Sequence, residues 1–222
     1  MKNVLAGPVD VSAGEPVSDI DRQVHIMTTM HFVITGARAT TVTEAVGRSG
    51  MYLTSVSMTL VALGFISTAT QMGTGFYVFA FVLLSCLVPL GIVTFNRVVQ
   101  TGVQDLRLSY NEARIWAFYA DVSPGLDRWF DHPVGDAHAN HDLFTAGGSK
   151  FQMLFTAASM VGGVSSAVIA VLVSLAVARS LHAGLLFATI AGVIAFAVAG
   201  WIHLRVEAAH FAALERFKAT MP

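Results

Sequence analysis

Charge is what this sequence has least of. In 222 residues there are 13 Lys and Arg and 14 Asp and Glu, or 12%, about half of the ~25% usual for a soluble domain. Their placement is more telling than their number. Residues 49–96, 151–178 and 180–204 hold no Asp, Glu, Lys or Arg at all, which excludes an ordinary water-soluble fold. Cysteine is nearly absent too. Cys86 stands alone, so an intrachain disulfide, a Cys-x-x-Cys redox pair and a zinc ribbon are all excluded. There is no run of Lys or Arg, and a net charge of −1 with a pI near 6.7 supplies no field to attract a phosphate backbone, so nucleic acid is not expected as a partner. The patterns GxxxxGK[ST], GxSxG and GxGxxG between strand and helix are missing, and with them the usual signs of nucleotide or acyl-transfer chemistry.

What is present is apolar: 55% of the chain, with a mean hydropathy of +0.65. A bilayer core of about 30 Å takes roughly 20 apolar residues per helix. The first charge-free block therefore divides into spans over about 50–69 and 76–94. Thr70, Gln71, Met72, Gly73, Thr74 and Gly75 lie between them, and the glycines suit a tight turn. The other two blocks give spans over about 152–177 and 183–203. The N-terminal stretch has Pro8, Asp10 and Glu15 where a signal peptide needs its apolar core, so the first span is expected to act as its own insertion signal. Every Lys and Arg except Arg179 falls on one side of this partition. Cytoplasmic loops carry that excess, which predicts a cell-membrane protein with both termini in the cytoplasm.

The predicted fold is all-α: an integral membrane four-helix bundle with long cytoplasmic helical extensions. A disordered tail over 1–18 precedes an amphipathic helix over 19–49, capped by Ser18 or Asp19, that runs unbroken into the first hairpin at 50–95. Segment 96–150 begins as a continuation of the second span, ends its helix at Ser123, Pro124 and Gly125, and continues as a polar loop. The second hairpin occupies 151–203, and a short amphipathic helix fills 204–222. Arg38, Glu44, Arg107, Glu112 and Arg114 fall on the paired cytoplasmic helices, where salt bridges between helices are expected.

Five groups of residues are candidates for function. His132, Asp136, His138, His141 and Asp142 combine imidazole and carboxylate in a short loop and offer a divalent-metal site, with a merely solvated loop as the plainer reading. No other cofactor is expected. Ala158, Gly162, Ser166 and Ala170, with Gly184, Ala188 and Gly192, repeat at four-residue intervals and mark helix-packing seams, within one chain or between subunits of a homo-oligomer. Thr54, Ser55, Ser57 and Thr59 give the first span hydroxyls that line a wet pore or bond back to their own helix. Arg48 and Arg97 sit at the membrane boundary, snorkelling or forming a basic ring. Tyr52, Phe76, Tyr77, Phe151 and Trp201 are read as interfacial anchors, and Pro89 as a kink. No Asp, Glu, Lys or Arg stands in the middle of a span, and ion-coupled transporters generally need such a residue.

The segments HFVITGARATTVTEAVGRSGMYLTSVSMTLVALGF, GIVTFNRVVQTGVQDL, RIWAFYADVSP and FQMLFTAASMVGGVSSAV resemble an uncharacterised family of bacterial four-span membrane proteins. That resemblance implies topology and no active-site residues. In architecture alone the arrangement is similar to that of SLATT membrane effectors, which are proposed to form pores. The leading expectation is a non-enzymatic, oligomeric pore-forming or effector protein. The rivals are a membrane-anchored scaffold or sensor that meets a cytoplasmic protein partner, and a metal-dependent membrane enzyme.

Overall fold

The computed structural model describes residues 18–125, 128, 156–180 and 184–219, with side chains in the last stretch to Leu214. Among them there are four helices and no strand: α1 (Asp19–Thr70), α2 (Thr74–Val122), α3 (Ala157–Ser180) and α4 (Leu185–Ala219). All four are long and apolar enough to cross a membrane.

The first helix is 52 residues long, or about 78 Å at ~1.5 Å per residue, more than twice a bilayer core. It starts where the sequence supplies a cap: the Ser18 hydroxyl accepts the Asp21 N–H at 3.1 Å, and Asp19 and Asp21 place negative charge in the first turn. It then runs through Arg48 into the span without interruption. The second helix, 49 residues long, continues through Pro89 and leaves the span by the same route. It closes at Val122, where the Ser123 N–H reaches the Tyr119 carbonyl at 2.9 Å and Gly125 takes a φ of 88°.

The turn between these helices departs from the sequence expectation. Gln71 and Met72, not the glycines, adopt left-handed backbone angles, at φ 47° and 59°. Gly73 is extended, and its role is proximity: a Cβ there would stand 3.0 Å from the Thr70 carbonyl oxygen.

The fourth helix also differs. It does not stop near His203 to be followed by a separate segment, but passes straight through to Ala219. Residues 204–219 contain neither Gly nor Pro and are rich in Ala, Leu, Glu and Arg, so nothing there breaks a helix already under way.

In space α1 pairs with α2, α3 pairs with α4, and the two hairpins join mainly where α2 meets α3. Tyr52, Val56, Leu84, Leu87, Phe95, Val99, Val161 and Val168 form the buried core at that junction. Tyr52 is 1% exposed. It is therefore a core residue rather than an interfacial anchor, and Phe76 is buried as well. Trp201 is exposed, with the Arg205 guanidinium 5.0 Å above its ring. Phe151 lies outside the described residues. The edge of the bundle is α1. Only 6% of its most apolar stretch is buried within the chain, against 33% for α2.

Candidate functional site

Beyond their spans α1 and α2 continue side by side as a charged stalk, and Arg38 clamps it. Its Nε donates to Asp105 Oδ1 at 3.1 Å and its Nη1 to Glu112 Oε2 at 2.5 Å. Asp105 and Glu112 are seven residues apart, two turns along one face of α2, so a single planar guanidinium spans both. Thr41, one turn further along α1, is buried and donates at 3.2 Å to the same Asp105 oxygen. Partial burial works against the Arg38 charge, but its hydrogen bonds to the two carboxylates outweigh that and raise its pKa above the usual arginine range. Towards the tip, the Thr28 and Tyr119 hydroxyls lie 3.0 Å apart. His31 meets the edge of Trp116 with ring centres 5.4 Å apart.

At the foot of the stalk both boundary arginines turn onto Glu44. Arg48 Nε donates to its carboxylate at 2.8 Å and Arg97 Nε at 3.0 Å. The hydrogen bond from Arg48, seconded by Arg97, holds the Glu44 carboxyl below its ordinary pKa. Through this shared carboxylate Arg48 and Arg97 are tied together across the hairpin.

A second polar centre lies where α4 meets the start of α3. Glu207 on α4, just past the fourth span, is 1% exposed and lies at the N-terminus of α3. The Thr156 hydroxyl caps that helix by accepting the Ser159 N–H at 3.0 Å and donates to Glu207 Oε1 at 2.9 Å. The Ser159 hydroxyl donates to Oε2 at 3.0 Å. A carboxylate at a helix N-terminus is favourable, yet burial pushes the Glu207 pKa up, with the two hydroxyls opposing the rise. One turn back on the same face, His203 Nδ1 lies 3.1 Å from Ser166 Oγ, and its ring meets Phe95 edge-on with centres 4.5 Å apart. Deeper still, the Tyr52 hydroxyl and Ser165 Oγ close over Gly91, each 2.6 Å from where a Cβ would stand. Glu207 could have been found by extending the Ala188, Gly192 face of α4 at helical spacing through Ala199 and His203.

The packing-seam residues divide. Ala158, Gly162, Ser166, Ala188 and Gly192 are buried inside the bundle. A Cβ on Gly162 would come within 3.2 Å of Phe95 and His203, and one on Gly192 would overlap Ser174 Oγ. Ala170 is half-buried, and Gly184 is exposed with open space around it. The hydroxyls of the first span divide too. Ser55 and Thr59 donate to the Met51 and Ser55 carbonyls, both at 2.9 Å, whereas Thr54 and Ser57 face outward. His132, Asp136, His138, His141 and Asp142 lie outside the described residues, among which no three His, Cys, Asp or Glu side chains gather as metal ligands would.

No family model, curated protein or solved structure matches this chain.

Proposed function

We propose that this is a non-enzymatic scaffold or sensor of the bacterial inner membrane, multi-pass, with both termini and the α1/α2 stalk in the cytoplasm, where the stalk meets a protein partner. The observation that carries this reading is the Arg38 clamp. Two helices that leave the membrane unbroken are locked together outside it by one arginine and two carboxylates, which makes a stiff projecting surface rather than a loose loop. The distribution of Lys and Arg supports the orientation. The resemblance to four-span bacterial membrane proteins is consistent with it and adds no catalytic residue.

The test places a photo-crosslinking amino acid at Gln104 or Asn111, both exposed on the stalk, in cells making the full-length protein. A discrete adduct with another protein is expected from the stalk and not from Val193, an exposed position within the fourth span. The pore reading is favoured by Thr54 and Ser57, which face away from the bundle. Ion flux through reconstituted liposomes, with no stalk adduct in cells, would put it in place of the scaffold.

A further inference from the structure

The outward side of α1 carries a pattern that the chain itself does not use. From Gly36 the helix steps by four and three residues alternately through Thr40, Thr43, Gly47, Gly50 and Thr54, and the rhythm continues to Thr68 with Val61 as its one aliphatic member. Every position in the series is exposed. A Cβ added at Gly36, Gly47, Gly50 or Gly64 would touch nothing. A repeat averaging 3.5 residues marks a seam that stays on one partner helix through a left-handed supercoil. Glycine destabilises a helix interior relative to alanine, and neither lipid nor water compensates for it. A second backbone at close range does.

The side chains bordering the series are a separate observation. Met51, Met58 and Phe65 flank it on one side and Phe32, Val46 and Leu60 on the other, each between 60% and 73% exposed. Within the span lipid covers such groups. Phe32 instead stands on the stalk beyond Arg38, about 27 Å along α1 from Gly50, and apolar exposure of that kind away from lipid calls for a protein surface. Where stalk meets span the series runs across a shallow, open depression on α1 floored by Thr40, Thr43, Gly47 and Met51, with Glu44 and Arg48 at its edge. Between Phe32 and Thr68 the ionisable residues are Arg38, Glu44, Arg48 and Tyr52. Arg38 turns to α2, Tyr52 is buried, and Glu44 and Arg48 pair with each other, with Arg97 joining them.

We infer that this face of α1 docks against the same face of α1 in a second copy of the chain, parallel and in register, from the stalk through the bilayer. Two copies inserted alike cross the membrane in the same direction, so the pairing is parallel. Because Glu44 and Arg48 compensate each other within each chain, an in-register pair brings no bare like charges together. From Gly36 to Thr68 the seam is about 48 Å long. At a contact width of about 10 Å it buries roughly 500 Å² per copy, and the ~1,000 Å² total reaches the size of a small specific interface. This inference does not rest on the scaffold reading of the stalk.

The test uses the full-length protein with Cys86→Ser, in native membranes and in nanodiscs. Single cysteines at Gly47, Gly50, Thr54 and Ser57 are expected to form intermolecular disulfides on mild oxidation, well above cysteines at Val82 and Val93, which are exposed on α2. Gly50→Leu meets only open space within one chain. It should therefore keep the helical signal and melting behaviour of the parent while weakening self-association by at least about tenfold. The inference is overturned if the particle is monomeric at every protein-to-lipid ratio, if the α2 cysteines link as readily as the seam, or if Gly50→Leu associates unchanged. Seam cysteines that link only to a different protein overturn it as well.

Discussion

Removing the Arg38 side chain should loosen the stalk far more than an exposed ion pair would. Its side chain is 22% exposed, and those of Asp105 and Glu112 are 29% and 15% exposed. An exposed pair contributes about 0–1 kcal/mol, and breaking a buried one costs about 3–5 kcal/mol because a charge is left without compensation. Arg38→Ala leaves two carboxylates facing the gap at intermediate burial, so a loss of about 2–3 kcal/mol is expected. In a double-mutant cycle with Glu112→Gln the coupling should be about 1.5 kcal/mol, the lower end for a hydrogen bond to a charged group. The triple variant Arg38→Met, Asp105→Asn, Glu112→Gln should recover most of the loss, since no bare charge remains. Trp116, packed on His31 and Tyr119, is a built-in reporter. With Trp129 and Trp201 replaced by Phe, its fluorescence during SDS titration in mixed micelles follows the stalk. A coupling below about 0.5 kcal/mol, the level of a surface pair, would refute the clamp as a source of stiffness.

Other outcomes follow from the same geometry. Burial raises the Glu207 pKa in the folded chain, so the folded state binds more protons than the unfolded one between the ordinary glutamate value and the raised value. Stability should therefore be fullest below the unfolded value and fall as pH rises through the folded one, and Glu207→Gln should flatten that pH profile in thermal melts. Gly91→Ala drives a methyl group into Tyr52 and Ser165 and should cost about 1–3 kcal/mol. Gly163→Ala, with open space around it, should be neutral or stabilising by up to about 1 kcal/mol, and melting temperatures of the two variants separate the cases. In a Cys86→Ser background a membrane-impermeant maleimide should label Met72→Cys from outside intact spheroplasts and Asn111→Cys only after permeabilisation; the reverse would invert the proposed topology.

The spans and the long helices were legible because their cause is coarse. A block without charge has few alternatives to a membrane. A helix with no proline from Asp19 to Thr70 has little reason to stop. Beyond His203 the same holds, since the change to polar residues there marks the edge of the apolar layer and not a break in the backbone. Ser18 and the Ser123, Pro124, Gly125 run were equally readable, since capping and termination are local chemistry. Tertiary pairing was not. Arg38, Glu44 and Glu112 could be placed on facing helices, but Asp105 was missed because nothing local says which carboxylates of α2 turn towards α1. Tyr52 has the residue type and position of an interfacial anchor, and only the packing of α2 and α3 around it makes it core. Glu207 looked like one more charge after the last span, whereas its burial depends on Thr156 and Ser159, about fifty residues earlier in the chain.

The absence of any break in α1 at the membrane surface has a mechanical consequence. From Ser49 to Asp19 the helix projects about 45 Å, so a change of about 10° in the inclination of its span carries the tip sideways by about 8 Å. Bilayers of different thickness ask spanning helices for different inclinations. With α2 fastened alongside by Arg38, the pair has the geometry of a gauge's pointer, in which a small change in the inclination of the span becomes a displacement of molecular size at the tip of the stalk.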